Sequence, residues 1–220
     1  MKILDGKVAL FLGDSITEGA CASRLENRFV NIFGEETGAQ VFNYGVGGTR
    51  IAYQHQPSLE EPQYDMYFAS RIFGMSWNAD IIFIFGGTND YGHGDAPLGK
   101  QGDTNPMTFY GALHDLYQRL QKKYPTAQII AITPLHCDND EREVNSIGTE
   151  RKGGLRSYVE AIKNVAKDFD IPVIDAFNDW DMQPVADKAN DPYFTADGLH
   201  PNNNGHRYIA EKLVEFVKNM

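Results

Sequence analysis

The chain has 220 residues, a formal net charge of −10, 42% hydrophobic residues and 23% charged residues. This length and composition are typical of a globular protein with one full core, so we predict a single domain over residues 1–220. The acidic balance, with no Lys/Arg cluster, argues against nucleic acid or an anionic membrane as a partner. No apolar run approaches the roughly 18 residues that cross a bilayer.

The N-terminus and the cysteines indicate a cytoplasmic protein. Residues 1–7 contain no apolar leader with a cleavage site, and strand-like sequence begins almost at once. Cys21 and Cys137 form no spaced framework, which suits a reducing compartment and argues against a structural zinc site. We therefore predict no bound metal.

In the first part of the chain, short apolar runs alternate with segments of helical periodicity. The first strand is predicted at Val8–Leu12. A capping box at Ser23–Glu26 predicts the start of a helix that ends at Gly38. A second strand is predicted at Gln40–Tyr44, and a modest helix within residues 66–73.

The most apolar strand in the chain is Asp80–Phe85. Its nearly continuous hydrophobicity predicts a central parallel strand that is covered on both faces. A polar loop is expected over residues 91–107, followed by a helix that carries its apolar side chains within residues 113–120. The fourth strand is predicted at Gln128–Thr133, where Pro134 closes it.

The last third of the chain continues the same alternation. A polar loop at residues 137–154 leads to a helix with apolar positions within 155–166, and a short fifth strand is predicted at Pro172–Asp175. Residues 178–204 read as irregular, and a final helix presents apolar residues within 209–217. Alternating strands and helices without a repeat or linker predict one doubly wound α/β domain around a parallel sheet.

Polar side chains and glycines follow the ends of the predicted strands. Ser15 follows the first strand, residues 45–48 follow the second, and Asn89 follows the third. Asp197 and His200 lie between the fifth strand and the last helix. Because ligands of open α/β sheets bind beyond the carboxyl ends of the strands, we expect these groups to meet at one edge.

The chemistry of these groups is complementary. The Ser15 hydroxyl needs a base to take its proton, and the His200 imidazole suits that role near neutral pH. Asp197 is close enough in sequence to bond the other ring nitrogen and fix its tautomer. The backbone amides of Ser15 and Gly48 and the side-chain amide of Asn89 would supply an oxyanion hole. The set predicts a catalytic triad for acyl transfer.

Each of these residues also has an ordinary structural interpretation. Ser15 could cap a helix, Asp197 could turn the chain, and His200 could be a solvated loop histidine. The glycine run fails the G-x-G-x-x-G pattern because position 50 is Arg50, so we predict no cofactor.

Two further interpretations stay open. His136 beside Cys137 fits a thiol nucleophile, although no ordering partner or oxyanion pattern accompanies the pair. A non-catalytic flavodoxin-like binding module would have the same architecture, and it would give Asp197 and His200 no reason to pair.

Four separated blocks of the chain resemble those of the GDSL-type hydrolases of the SGNH superfamily. They are Gly13-Asp14-Ser15, Asn43-Tyr44-Gly45-Val46-Gly47-Gly48, Gly87-Thr88-Asn89-Asp90 and Asp197-Gly198-Leu199-His200. The resemblance spans residues 13–200 and implies a flavodoxin-like three-layer α/β/α sandwich with a five-stranded parallel sheet. It also implies hydrolysis of esters or thioesters without a metal, with Gly48 as an oxyanion-hole amide. The α/β-hydrolase elbow G-x-S-x-G is absent, because Thr17 stands in place of its last glycine.

The loops around the predicted site favour a polar substrate. Residues 91–107 and 137–154 lack the apolar character expected of a lid over long acyl chains. We predict that Tyr91 and His93 bind the substrate, a short-chain acyl ester such as an O-acetylated carbohydrate. The four blocks do not separate this activity from that of a lysophospholipase or a thioesterase. The sequence also leaves a homo-oligomer open.

Overall fold

A computed structural model describes residues 2–59, 61–150, 153–182 and 194–220. Five parallel strands form one sheet in the order β2-β1-β3-β4-β5. The strands are β1 Val8–Gly13, β2 Gln40–Gly45, β3 Ile81–Phe85, β4 Gln128–Ile132 and β5 Val173–Ile174. The predicted five-stranded parallel sheet is confirmed, and each predicted strand overlaps an observed one.

Strand β3 lies at the centre of the sheet, and all five of its residues are buried. Its side chains alternate between two hydrophobic clusters, as successive residues of a strand point to opposite faces. Ile82 and Ile84 join one cluster, whereas Ile81, Phe83 and Phe85 join the other. Polar residues do not alternate with apolar ones in β3, because helices cover both faces of the strand.

Helices cover both faces and so form a three-layer sandwich. The α-helices are α1 Ser15–Glu18, α2 Phe29–Thr37, α3 Phe68–Arg71, α4 Thr88–His93, α5 Phe109–Lys123, α6 Gly154–Asp168, α7 Ala176–Asp179 and α8 Asn203–Lys218. Helices α2 and α8 pack against one face, and α5 and α6 pack against the other. Among the described residues, no helix is long and apolar enough to cross a bilayer.

The start predicted for the helix that ends at Gly38 is wrong. Leu25–Asn27 is a 3-10 turn, and α2 begins only at Phe29. The Ser23 hydroxyl accepts a hydrogen bond from the Asn27 side chain at 2.8 Å instead of capping a helix. Leu25 is 56% exposed, so no core contact holds it in the helical face. The predicted end is confirmed, since Gly38 follows the helix in a left-handed conformation.

Other boundaries also differ from the predictions, and the end of α7 and the start of α8 fall within the segment that was predicted as irregular. The helix expected within residues 66–73 is only one turn, α3, followed by a 3-10 turn at Ile72–Gly74. The loop expected from residue 91 begins as a helix, because α4 extends to His93. Of the segment predicted as irregular, residues 183–193 lie outside the described residues, as do residues 151 and 152 of the preceding loop.

Candidate active site

Ser15 lies at the carboxyl edge of the sheet, immediately beyond β1. Asp14 caps α1 through its carboxylate, which accepts the backbone N–H of Ile16 at 3.0 Å. The turn is tight, because a Cβ atom on Gly13 would lie 2.0 Å from Oγ1 of Thr17. Asp14 thus shapes this turn by binding nearby backbone, and the half-buried Ser15 becomes the first residue of the helix.

The structure brings Ser15, His200 and Asp197 into one line. Oγ of Ser15 lies 3.1 Å from Nε2 of His200, and Nδ1 of His200 lies 2.7 Å from Oδ2 of Asp197. Oδ1 of Asp197 accepts the backbone N–H groups of His200 and Leu199 at 2.7 and 3.0 Å. Partial burial acts to raise the pKa of Asp197, but these hydrogen bonds hold it below its usual value. The carboxylate is therefore ionised at neutral pH.

The loop that carries Asp197 and His200 is anchored at both ends. The carbonyl of Gly198 accepts the N–H of Asp138, from the loop after β4, at 3.0 Å. Gly198 has a φ of +82°, and a Cβ atom there would lie 1.6 Å from the Asp138 carboxylate. After His200, Asn202 caps α8 by accepting the N–H groups of Asn204 and Gly205. These contacts fix the histidine over the sheet edge.

The glycine-rich loop after β2 lies beside Ser15. Gly47 donates its N–H to the Glu18 carboxylate at 2.8 Å, and a Cβ atom on Gly47 would lie 3.8 Å from Cβ of Ser15. Gly48, with a φ of +72°, follows directly. Within the described ranges, the backbone N–H groups of Ser15 and Gly48 have no hydrogen-bond acceptor. Two free donors next to a hydroxyl are what an oxyanion hole requires.

Asn89 brings the third predicted donor to the same loop. Its side-chain Nδ2 donates to the carbonyl oxygen of Thr49, the residue after Gly48, at 3.0 Å. Asn89 lies in the first turn of α4, which follows β3 directly. The predicted oxyanion residues Ser15, Gly48 and Asn89 therefore come together, as the neighbouring positions of β1, β2 and β3 in the sheet allow.

Asp90 ties α4 to the same loop, a function that the sequence analysis missed. Its two carboxylate oxygens accept the N–H groups of Ile51 and Ala52 at 2.9 and 2.8 Å, and the residue is 2% exposed. Burial raises the pKa of Asp90 to about 7, against the opposing effects of these two N–H groups and of Arg50. The only available signal was its place in the Gly87–Asp90 block.

Arg71 was also missed, and it joins the ends of two strands. Its guanidinium donates to the carbonyl oxygens of Gly13 and Tyr44 and to the Thr49 hydroxyl. Burial lowers the pKa of Arg71 to about 10, with Asp14 acting in the opposite direction. Burial likewise raises the pKa of Asp14 to about 6. No sequence motif marks this arginine, because its partners are backbone atoms distant in the chain.

The two predicted substrate-binding residues line a cleft of about 330 Å³ that also contains Asn89 and Asp197. The Tyr91 side chain is 1% exposed, and its hydroxyl donates to the carbonyl of Asn139 and accepts the N–H of Arg142. His93 contacts Asn89 with one ring nitrogen and Arg50 with the other. Both residues shape the cleft wall, and their direct contact with substrate stays a prediction.

The thiol alternative receives no support. Cys137 is buried, and burial raises the pKa of its thiol to about 12, so it stays protonated at neutral pH. The sequence analysis found no ordering partner for His136, which is wrong, because its ring contacts the Asp140 carboxylate and stacks on the Phe177 ring. A reactive cysteine needs the opposite environment, one that stabilises the thiolate.

Cys21 lies near Asp197 and His200. Its sulfur and ligand atoms of Asp197 and His200 lie within 4.8 Å of one another. Asp197 and His200 are already hydrogen-bonded to each other, and His200 also contacts Ser15, so we assign these groups to that set of contacts and not to an ion.

The fold is a parallel three-layer sandwich, and at the carboxyl edge of its sheet a hydroxyl, an imidazole and a carboxylate are aligned. This combination of fold and site is that of a hydrolytic enzyme. The sequence profile of the GDSL-like lipase/acylhydrolase family matches residues 11–208. The chain belongs to this family, and the protein is a carboxylic ester hydrolase. The resemblance drawn from the four blocks is thus confirmed.

Solved structures share this fold. A protein from Lactobacillus plantarum is 32% identical, with a TM-score of 0.80 over 98% of each chain. A lipase/acylhydrolase from Enterococcus faecalis is 20% identical, with a TM-score of 0.65 over 97% of this chain and 96% of its own. An acetyl xylan esterase is 22% identical, with a TM-score of 0.61 over 95% and 98%. Among proteins with a curated description, none gives a significant match.

Proposed function

We propose that the protein is a serine esterase that removes short acyl groups, in particular O-acetyl groups, from a carbohydrate or a similar polar alcohol. The observation that carries this proposal is the line from Ser15 through His200 to Asp197, with contacts of 3.1 and 2.7 Å. It is the arrangement in which an imidazole can take a proton from a serine hydroxyl while a carboxylate fixes its tautomer.

Acylation begins when Oγ of Ser15 attacks the acyl carbonyl carbon and Nε2 of His200 accepts the hydroxyl proton. Asp197 keeps the ring in place and stabilises the imidazolium that forms. The carbonyl oxygen becomes an oxyanion, which the N–H groups of Ser15 and Gly48 and the side-chain amide of Asn89 bind. These donors are already in position, so they need no reorganisation during the reaction.

Deacylation repeats the same steps with water. When the tetrahedral intermediate collapses, His200 gives its proton to the departing alcohol, and the acyl group remains on Ser15. A water molecule then attacks the ester carbonyl while His200 takes its proton. Collapse of the second intermediate releases the carboxylic acid, and His200 returns the proton to Ser15.

The size and lining of the cleft support a small, polar substrate. Its volume of about 330 Å³ lies at the lower end of the ~300–1,000 Å³ that is usual for ligand sites. Beside Asp197, its wall includes the polar side chains of Asp138, Arg142 and Ser146. An acetyl xylan esterase shares the fold, but at 22% identity that likeness concerns the fold alone.

Two assays test the proposal. A fluorophosphonate probe should label the wild-type protein and the control Ser70→Ala, an exposed serine outside the site, but not Ser15→Ala. In a series of p-nitrophenyl esters from acetate to palmitate, the wild type should favour the shortest chains. Wild-type rates in Ser15→Ala would refute the triad. A preference for the longest chains would refute the substrate class and favour a lysophospholipase or thioesterase.

A further inference from the structure

We propose that His93 is a positioning residue of the esterase reaction: held between Arg50 and Asn89, it keeps the N–H side of the Asn89 amide directed to the oxyanion. This inference rests on the oxyanion role given to Asn89 in the proposed function. It assigns to His93 a role different from the substrate contact that its place in the sequence suggests.

An asparagine side chain can adopt two orientations that differ by a half-turn of its amide group. The carbonyl and amino ends of the amide are nearly equal in shape, so a half-turn costs little unless hydrogen bonds oppose it. A flipped Asn89 would present its carbonyl oxygen to the developing oxyanion and repel it. An oxyanion hole that uses this side chain therefore needs something that holds the amide in one orientation.

Two contacts hold the Asn89 amide. Nδ2 donates to the Thr49 carbonyl at 3.0 Å, which only a nitrogen can do, because that oxygen is an acceptor. Oδ1 lies 3.1 Å from Nε2 of His93. Asn89 and His93 are four residues apart on α4, so their side chains lie on the same face of the helix. The second amide hydrogen of Asn89 then remains for the substrate.

Arg50 determines which ring nitrogen of His93 carries the proton. Nη2 of Arg50 lies 3.0 Å from Nδ1 of His93. A guanidinium only donates, so Nδ1 must accept, and the proton of the neutral ring is on Nε2. That N–H points to the oxygen of Asn89. Burial and the charge of Arg50 lower the pKa of His93 to about 4, so the ring stays neutral at the pH where an esterase works.

Arg50 is itself fixed. The residue is 5% exposed, and its guanidinium contacts the Asp65 carboxylate at 3.3 Å and the Ser58 hydroxyl at 3.1 Å. The Tyr64 ring packs on His93, with ring centroids 5.1 Å apart. A continuous chain of contacts therefore runs from Asp65 through Arg50 and His93 to Asn89. A histidine that only filled the core would not need a fixed tautomer.

The test compares His93→Ala, Asn89→Ala and the double variant in p-nitrophenyl acetate hydrolysis. Loss of an oxyanion donor costs roughly 10²–10³ in kcat, and loss of its orientation should cost about 10-fold or more, with KM changed by less than about threefold. Since both changes remove the same stabilisation, the double variant should be no slower than Asn89→Ala alone. His93→Gln, which can accept from Arg50 and donate to Asn89, should recover most of the loss. His114→Ala, on α5, is the control.

The outcomes separate this proposal from the proposed function. A wild-type protein without esterase activity or fluorophosphonate labelling would refute the proposed function. An active wild type, a slow Asn89→Ala and a His93→Ala within about twofold of wild-type kcat would refute only the role of His93. Additive losses in the double variant would also refute it, because they would indicate an independent structural effect. If His93→Ala does not fold, His93→Leu takes its place with the same expected loss of kcat, because leucine fills more of the space but can neither accept from Arg50 nor donate to Asn89.

Discussion

The hydroxyl of Ser15 lies 3.1 Å from Nε2 of His200, although 185 positions separate the two residues in the chain. Ser15 begins the first helix after β1, and His200 comes directly before the segment that leads into α8. Both elements pack on the same side of the sheet, since Ile16 of α1 and Ile209 of α8 belong to the same hydrophobic cluster. The contact is therefore a consequence of the winding of the whole domain.

The contact between Asn89 and Thr49 leads to the first prediction. Asn89→Ala removes one oxyanion donor, so kcat for p-nitrophenyl acetate should fall by roughly 10²–10³. Its backbone in α4 does not depend on the side chain, and urea denaturation should show a folded protein. Asn78→Ala, at an exposed asparagine, should leave the rate unchanged. Wild-type turnover in Asn89→Ala would remove this residue from the oxyanion hole.

Gly48 and Gly102 form a matched pair of glycines that tests the role of Gly48 in the oxyanion hole. Both have a positive φ, +72° and +89°, so alanine at either position should cost roughly 1–2 kcal/mol of stability. At Gly48 the new Cβ would also lie 1.9 Å from the Tyr64 ring, whereas at Gly102 it meets nothing within 4 Å. Gly48→Ala should therefore lose esterase activity as well, and Gly102→Ala should not. Equal activity in the two variants, measured beside urea denaturation, would contradict this role of Gly48.

The buried carboxyl of Asp90 predicts the direction in which stability changes with pH. Its pKa is raised from 3.8 to about 7 in the folded protein, so the folded state binds more protons than the unfolded state between these values. The free energy of unfolding should therefore fall as the pH rises from about 4 to about 7. Burial of Asp14, with a pKa raised to about 6, acts in the same direction.

Urea denaturation at several pH values across this range measures the effect. Asp90→Asn loses an acceptor for a backbone N–H, so it should be less stable than wild type, but with a weaker dependence on pH. Asp168→Asn, at an exposed position, should keep the wild-type dependence. If the free energy of unfolding of Asp90→Asn changed with pH as steeply as that of the wild type, another group would be responsible for the pH dependence.

The two cysteines should differ in reactivity. Cys21 is exposed, whereas Cys137 is buried with the pKa of its thiol raised to about 12. Iodoacetamide should therefore alkylate Cys21 first in the folded protein, as peptide mass spectrometry can show, and Cys137→Ala should keep its fluorophosphonate labelling. Loss of labelling in Cys137→Ala, with the fold intact, would reopen the thiol alternative.

The sheet was predictable because each strand carries its own signal. The apolar run of β3 identified the central strand, since a strand covered on both faces cannot alternate with polar residues. The short helices were harder to place. The turn at Leu25–Asn27 and the helix α4 are too short to be stable by propensity alone, so tertiary contacts decide where they begin. Both are boundaries that the sequence analysis misplaced.

The sequence by itself determined the succession of strands and helices along the chain. Through four short blocks it also identified the candidate site residues, Ser15, Gly48, Asn89, Asp197 and His200. Only the tertiary structure decided what supports them: Arg71 across the ends of β1 and β2, Asp90 on the loop after β2, and the contacts of Arg50 and His93 with Asn89. The reason is physical. Hydrophobic periodicity is a local property of the chain, whereas a buried arginine or histidine finds its hydrogen-bond partners tens of residues away, and those partners meet only when the sheet has formed.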